Sequence, residues 1–195
     1  MPTLYLATDE PADQLLSTDS LALLIGMLLD QQVPMEWAFG APYRLAERLG
    51  ADRLDAAQIG GYDSDELATL FSTPPALHRF PGSMAKRTQQ LCRYLVDEYD
   101  GDAAAVWTGA ADGADLVKRL GRLPGFGKQK AQIFAALLAK QLGVRPTGWR
   151  EATGVYGEAG VFRSVADITD DGSLARVREY KKQMKAAAKA AKATS

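Results

Sequence analysis

A five-residue turn, LPGFG at positions 123–127, constrains the fold more than any other stretch of the sequence. It separates two segments of helical pattern, the first ending in KRLGR and the second starting at once with KQKAQIF. Pro124 fixes one φ angle, while Gly125 and Gly127 allow backbone conformations that other residues avoid and let a ligand approach the bare main chain. The sequence therefore predicts a helix, a tight hairpin and a second helix, with the hairpin at residues 121–130.

The start of the second helix of this hairpin is a candidate phosphate-binding site. The turn presents N–H groups at the positive end of a helix dipole, and Lys128 and Lys130 add charge beside them. Such contacts position a nucleic acid without reading its sequence. A nucleotide-binding P-loop is excluded because its first glycine is missing and Gln129 replaces its Ser or Thr. The alternative is a glycine-rich connector between two packed helices.

The rest of the chain also has a helical pattern, so we expect an all-α protein. Candidate N-cap residues stand before segments with apolar residues at helical spacing: Ser17, Thr18 or Asp19; Asp63 or Ser64; Asp112; Asp171 or Ser173. Residues 144–160 are rich in Gly and Thr and predict a loop with one helical turn. Only LYLAT, at positions 4–8, resembles a strand.

Composition excludes several kinds of site. The single cysteine, Cys92, excludes an internal disulfide framework, a zinc site with several thiolates and an iron–sulfur cluster, and the single histidine, His78, excludes a His-rich metal site. With 47% hydrophobic residues, a chain of 195 can bury its own core. The N-terminal residues have no basic start or long apolar run, so we expect a soluble, cytoplasmic protein that does not associate with a membrane.

Charge is distributed unevenly along the chain. Residues 1–75 contain 3 basic and 12 acidic residues, whereas residues 76–195 contain 20 basic and 12 acidic ones. The formal net charge of -1 hides this difference. The C-terminal part is therefore the candidate for a surface that binds a polyanion.

Three stretches, taken in order, carry a resemblance to a known family. LPGFGKQKA closely resembles the hairpin of the helix-hairpin-helix (HhH-GPD) base-excision DNA glycosylases, the superfamily of endonuclease III and 3-methyladenine glycosylase II. LLIGMLLDQQVPMEWAFGAPYRLAERLG is similar to the helix–loop–helix that begins the same domain, and MAKRTQQLCRYL resembles the helix between them. The resemblance spans residues 21–143, and the compact chain is similar to small actinobacterial-type HhH-GPD proteins of uncertain role.

The resemblance implies a single domain with an all-α, two-lobed fold that holds DNA and the target base between the lobes. Residues 35–140 would form the central lobe with the hairpin, and residues 1–34 and 145–195 the second lobe. The implied partner is double-stranded DNA with a damaged base, bound by a monomer associated with the nucleoid. No cofactor is implied, since the family's iron–sulfur cysteines are absent, beyond at most a monovalent cation at the hairpin.

The resemblance also assigns contacts with DNA. The hairpin residues that would meet the DNA backbone are Leu123, Gly125, Phe126, Gly127, Lys128 and Lys130. Gln32 matches the position at which the family inserts a side chain into the space left by a flipped base, which helps offset the cost of flipping. Gln31 is the adjacent candidate. The alternative for Gln32 is a loop glutamine that caps a helix end.

Gln129 matches the catalytic lysine of the bifunctional members. Those enzymes need an amine to form a Schiff base with the sugar, which an amide cannot do. Lys128 and Lys130 flank the position but point about 100° away from it on a helix. The resemblance therefore implies that a glycosylase of this sequence is monofunctional, without strand cleavage.

The family's catalytic aspartate has no counterpart in VRPTGWREATG. Glu151 lies one residue from its expected position and is the first candidate, with a helix cap as the alternative role, and Asp167 is the second candidate. Trp149 and Trp37 are candidates for stacking on a flipped base, with core packing as the alternative.

The sequence is compatible with three functional hypotheses. The leading hypothesis is a monofunctional DNA N-glycosylase that hydrolyses the glycosidic bond of a damaged base, an alkylated base being one candidate, with Glu151 assisting water. The second is a catalytically inactive DNA-binding or damage-recognition protein on the same fold. The third is a helical interaction protein that does not bind DNA.

Overall fold

The computed structural model describes residues 3–193, and the prediction of an all-α protein is confirmed for this range. It contains eleven α-helices and two 3₁₀ turns but no strand, so residues 4–8 do not form the strand that their pattern suggested. The helices are α1 (Glu10–Thr18), α2 (Ser20–Leu29), α3 (Met35–Leu49), α4 (Ala56–Gly61), α5 (Ser64–Ser72), α6 (Pro81–Tyr99), α7 (Ala105–Thr108), α8 (Gly113–Gly121), α9 (Lys128–Gln141), α10 (Trp149–Thr153) and α11 (Asp171–Ala193). The 3₁₀ turns lie at Gly154–Tyr156 and Val165–Asp167.

Local capping explains where most of these helices begin. The side chains of Asp19, Asp63 and Asp112 accept hydrogen bonds from first-turn N–H groups of α2, α5 and α8. At α11 the cap is instead Asp170, whose Oδ1 accepts a hydrogen bond from the Ser173 N–H at 2.7 Å. The predicted hairpin is present as the turn between the end of α8 and the start of α9.

Helix α2 and the apolar stretch 134–139 of α9 form the centre of the core. Every residue of α2 from Leu21 to Leu29 is buried, and α9 is buried from Phe134 to Ala139. A helix that is apolar on all sides must be covered on all sides. Helices α1 and α3 pack on α2, α4 and α5 pack on α6, and α8 and α10 pack on α9.

No single helix within residues 3–193 is both long and apolar enough to cross a bilayer. Helices α1 and α2 reach that length and composition only as a pair, and they are bent by 116° where they meet.

Asp19 joins α2 to the loop that contains Leu54, and its replacement should therefore affect the stability of the fold. Asp19 is 4% exposed, and its carboxylate accepts hydrogen bonds from the N–H groups of Leu21, Ala22 and Leu54. Asp19→Ala is expected to lower the free energy of unfolding by about 2 kcal/mol, because it removes a cap and leaves a third buried N–H without a partner. Asp63→Ala removes an exposed cap with two N–H donors and should cost about 1 kcal/mol or less. Urea denaturation of both variants measures this difference, and equal losses would contradict the role of Leu54.

Candidate nucleic-acid interface and adjoining cleft

The hairpin turn is anchored by its apolar side chains and exposes its glycines. Leu123 and Phe126 are 2% and 4% exposed, and the Phe126 ring meets the Phe134 ring edge-on at 6.0 Å between centroids. Gly125 adopts φ +85°, a region that strains other residues, and it lies exposed with Gly127. Of the predicted DNA contacts in the turn, Leu123 and Phe126 can therefore offer only main-chain atoms.

The N-terminus of α9 is open to solvent. Gly127 is its N-cap and supplies no side-chain hydrogen bond to the first turn, and Lys128 is exposed beside it. Within residues 3–193, no hydrogen bond from the N–H groups of Gly125 and Gly127 is found. Several donors and a lysine thus surround the positive end of a helix dipole, an arrangement suited to a phosphate oxygen.

Lys130 points the other way, into the protein. Its Nζ donates hydrogen bonds to the main-chain oxygens of Met27, Leu28 and Asp30 at 2.6, 3.2 and 3.4 Å, which are carbonyls at the C-terminus of α2. Burial lowers the pKa of Lys130 to about 8, although Asp30 favours the charged form. Lys130 therefore clamps the start of α9 to the end of α2, which also brings the loop after α2 beside the hairpin.

The two glutamines of that loop differ in how firmly they are held. The Gln31 side chain donates to the Leu28 carbonyl at 2.7 Å and accepts from Arg87 Nη1 at 3.1 Å. Gln32 is exposed, with φ +58°, and its side chain has no hydrogen bond within residues 3–193. Gln32 is therefore the glutamine whose side chain is available to a ligand.

An exposed aromatic ring beside this loop was missed by the sequence reasoning. His78 is fully buried; its Nδ1 accepts from the Phe80 N–H at 3.0 Å, and its Nε2 donates to the carbonyls of Leu29 and Gln31 at 3.1 and 3.0 Å. Burial lowers the His78 pKa, which favours this neutral form. The His78 imidazole thus holds Phe80, which is 42% exposed, next to the Gln31–Gln32 loop. The sequence did contain an indication of this exposed ring, namely an aromatic residue, Phe80, within the loop sequence HRFPG.

A cleft of about 410 Å³ opens directly beside the start of α9. Its walls come from the C-terminal end of α2, the first turns of α9, the 3₁₀ turn at Gly154–Tyr156 and the middle of α11. Gln129 lies in this wall, with its Nε2 donating to the Tyr156 hydroxyl at 2.8 Å. A cleft of this size is typical of a small-molecule site or of a pocket for one base.

Asp30 supplies the carboxylate in the described part of this cleft, and the sequence reasoning did not single it out. The other charged groups in the wall are Lys130, Arg163 and Lys181. Burial raises the pKa of the Asp30 carboxyl, while Lys181 and Lys130 oppose that shift. Within residues 3–193, no cluster of three His, Cys, Asp or Glu side chains is placed to hold a metal ion.

The two carboxylates that the sequence suggested for catalysis lie elsewhere. Glu151 is exposed on α10 and does not line the cleft that contains Gln129, and α10 has no side-chain cap. Asp167 forms an ion pair with Lys140 at 2.5 Å and accepts from the N–H groups of Arg163 and Ser164. The structure therefore brings neither of them into contact with Gln129.

The two candidate tryptophans also lie outside the cleft. Trp149 is 7% exposed, has the Arg150 guanidinium 4.5 Å from its ring centroid, and lines a separate cavity of about 320 Å³ together with Asp167. Trp37 donates from Nε1 to the Ala76 carbonyl at 2.9 Å. Neither ring faces the space beside Gln129.

Comparison with known proteins does not assign the chain to a family. No protein-family model, curated protein or solved structure matches the chain. The features that can serve a function are therefore the hairpin, the Gln31–Gln32 loop and the cleft beside Gln129.

Proposed function

We propose that the protein is a monofunctional DNA N-glycosylase with the two-lobed HhH-GPD fold. The observation that carries the proposal is that the open N-terminus of α9, with Gly127 and Lys128 exposed, continues at Gln129 into the wall of the cleft. One helix thus joins a site suited to a backbone phosphate with a space suited to an extruded base. A non-catalytic DNA-binding protein on the same fold is the alternative.

Side chains next to the hairpin support duplex binding with base extrusion. Gln32 and Phe80 project from neighbouring loops that His78 ties together. Flipping a base costs a few kcal/mol. An aromatic ring can stack in the vacated space, and an amide can hydrogen-bond the base that has lost its partner. Arg87, which holds Gln31, adds positive charge to the same surface.

Strand cleavage is not part of the proposal. Gln129 offers an amide, which cannot form a Schiff base. The neighbouring amine, Lys130 Nζ, already donates to three main-chain carbonyls. Borohydride should therefore trap no adduct with an abasic duplex, and a trapped adduct would contradict the monofunctional assignment.

Duplex binding gives the first test of the proposed function. Lys128→Glu is expected to weaken affinity for duplex DNA about 10-fold and to reduce the salt dependence of binding by about one phosphate contact. Arg44→Glu makes the same change in charge on an exposed position of α3 and should leave affinity within about 2-fold. Fluorescence anisotropy at several salt concentrations measures both. Equal effects of the two variants, or binding that does not weaken with salt, would contradict the hairpin interface.

Catalysis requires a second experiment, since binding alone fits the non-catalytic alternative. Duplexes that carry alkylated, deaminated or oxidised bases would be incubated with the protein and scored separately for released base and for strand breaks. The expected result is released base with an intact abasic strand for at least one lesion. Binding without any released base would favour the damage-recognition alternative.

A further inference from the structure

The cleft beside Gln129 contains a carboxylate that a hydrolytic site would need. Asp30 lies at the end of α2 and lines this cleft, whereas Glu151 is exposed outside it and Asp167 is bound to Lys140 and two main-chain N–H groups. Within residues 3–193, the Asp30 side chain has no hydrogen bond. Its oxygens are therefore available to a ligand in the cleft.

The position of Asp30 is fixed from two directions. Its N–H closes α2 by donating to the Gly26 carbonyl at 3.0 Å, and its own carbonyl accepts from Lys130 Nζ at 3.4 Å. The Lys130 clamp also holds the residues before it, Met27 and Leu28. The carboxylate is thus carried on a rigid helix end that is tied to the helix bearing Gln129, as a preorganised group must be.

We propose that Asp30 is the catalytic carboxylate of this protein, acting on the sugar of the nucleotide whose base enters the cleft. The inference rests on the proposed function and names a residue for it. In hydrolysis of the glycosidic bond, the C1′–N bond breaks with its electron pair leaving on the base, and positive charge develops on the sugar. A carboxylate facing C1′ stabilises that charge, as in other glycoside hydrolyses.

The same group can manage the proton of the attacking water. Water adds its oxygen to C1′ while the carboxylate accepts one of its protons, so that C1′ ends with a hydroxyl group. That proton then passes through solvent to the nitrogen of the departing base, which leaves neutral. Atoms and charge balance with water as the co-reactant, and no oxidant, metal or covalent intermediate is required.

The electrostatic surroundings suit this role. Burial raises the pKa of the Asp30 carboxyl, which makes the carboxylate a stronger proton acceptor than an exposed aspartate. Lys181 and Lys130 offset part of this upward shift in pKa. Perturbed carboxylates in clefts are frequent at active sites, and here the perturbation coincides with an unbonded side chain in the wall.

The test compares two abasic duplexes, so it requires neither a known lesion nor measurable turnover. One duplex carries a cationic pyrrolidine in place of the sugar, which imitates the charge of the transition state, and the other carries a neutral tetrahydrofuran. The protein should bind the cationic duplex about 10-fold more tightly or better, because transition-state mimics gain the interactions that accelerate the reaction. Asp30→Asn should abolish this preference while binding the neutral duplex within about 2-fold of the original.

Further variants make each outcome decisive. Asp30→Ser also removes the carboxylate but leaves a different side chain in its place. Glu47→Gln is the control, because it removes an exposed charge on α3 and should leave the preference for the cationic duplex unchanged. Glu151→Gln tests the competing carboxylate. A preference that survives both Asp30 variants, or that disappears in Glu151→Gln alone, overturns the inference. Salt-dependent duplex binding without any preference for the cation also overturns it but leaves DNA binding intact. No duplex binding at all would remove the proposed function and this inference together.

Discussion

Lys130→Met should lower the free energy of unfolding by about 3 kcal/mol at pH 7, the upper end for a buried hydrogen-bonding group that bears charge. The substitution keeps much of the apolar stem of the side chain but removes the terminal amine that donates to Met27, Leu28 and Asp30. Those carbonyls end α2 and would be left without this partner. Lys128→Met, two residues earlier on an exposed position, should change stability by about 0.5 kcal/mol or less.

The pH dependence of this effect distinguishes a buried lysine from an ordinary one. The folded-state pKa of Lys130 is about 8, below the value of about 10.4 for an unfolded chain. Between these values the unfolded state binds more protons, so the Lys130 contribution to the free energy of unfolding rises with pH. The deficit of Lys130→Met should therefore grow by about 2 kcal/mol from pH 8 to pH 10.

Urea denaturation of the original protein and both lysine variants, at pH 7, 8 and 10, measures these differences. Taking differences between proteins cancels the titration of groups that all three share. If Lys130→Met were no more destabilising than Lys128→Met, the clamp between α9 and α2 would be wrong. A deficit that stayed constant with pH would show that the Lys130 pKa is not lowered.

What the sequence could predict about this fold was local. The caps at Asp19, Asp63 and Asp112 bond to N–H groups two or three residues away, so residue type and spacing identified Asp112 and narrowed the other two to two or three neighbouring candidates. The hairpin was equally local, because Pro124 fixes one φ angle and Gly125 and Gly127 permit the backbone conformations of a tight turn. The all-helical class followed from the same short-range signals.

The candidate site depends on contacts that no local pattern encodes. Lys130 was interpreted as a phosphate ligand from its neighbours in the chain, but its ammonium group bonds to Met27, 103 residues away. Asp30 was not singled out in the sequence, and tertiary packing places it in the wall with Gln129. Position relative to a family motif favoured Glu151, yet the direction of a side chain is set by tertiary packing. Only the three-dimensional arrangement could separate these carboxylates.

Gly113→Ala, which adds one methyl group, should lower the free energy of unfolding by about 4 kcal/mol. This value is the sum of severe overpacking and one lost hydrogen bond. A Cβ at this position would lie 2.5 Å from the Trp149 Cα and 2.6 Å from the main-chain carbonyl of Gly148. Main-chain atoms cannot rotate away as a side chain can, so α8 and α10 would have to separate. That movement would also break the hydrogen bond from the Gly113 N–H to the Thr147 carbonyl, now 2.8 Å.

Gly121→Ala, in the last turn of the same helix, is the matched control. A Cβ there would meet only the Ala131 Cβ, at 4.0 Å, and alanine stabilises a helix by about 0.5–1 kcal/mol relative to glycine. The two substitutions should therefore shift the urea midpoint in opposite directions. Because α8 leads into the hairpin, Gly113→Ala should also weaken duplex binding, whereas Gly121→Ala should not. A stable Gly113→Ala protein with full DNA affinity would show that α8 and α10 need not be in close contact for the hairpin to bind DNA.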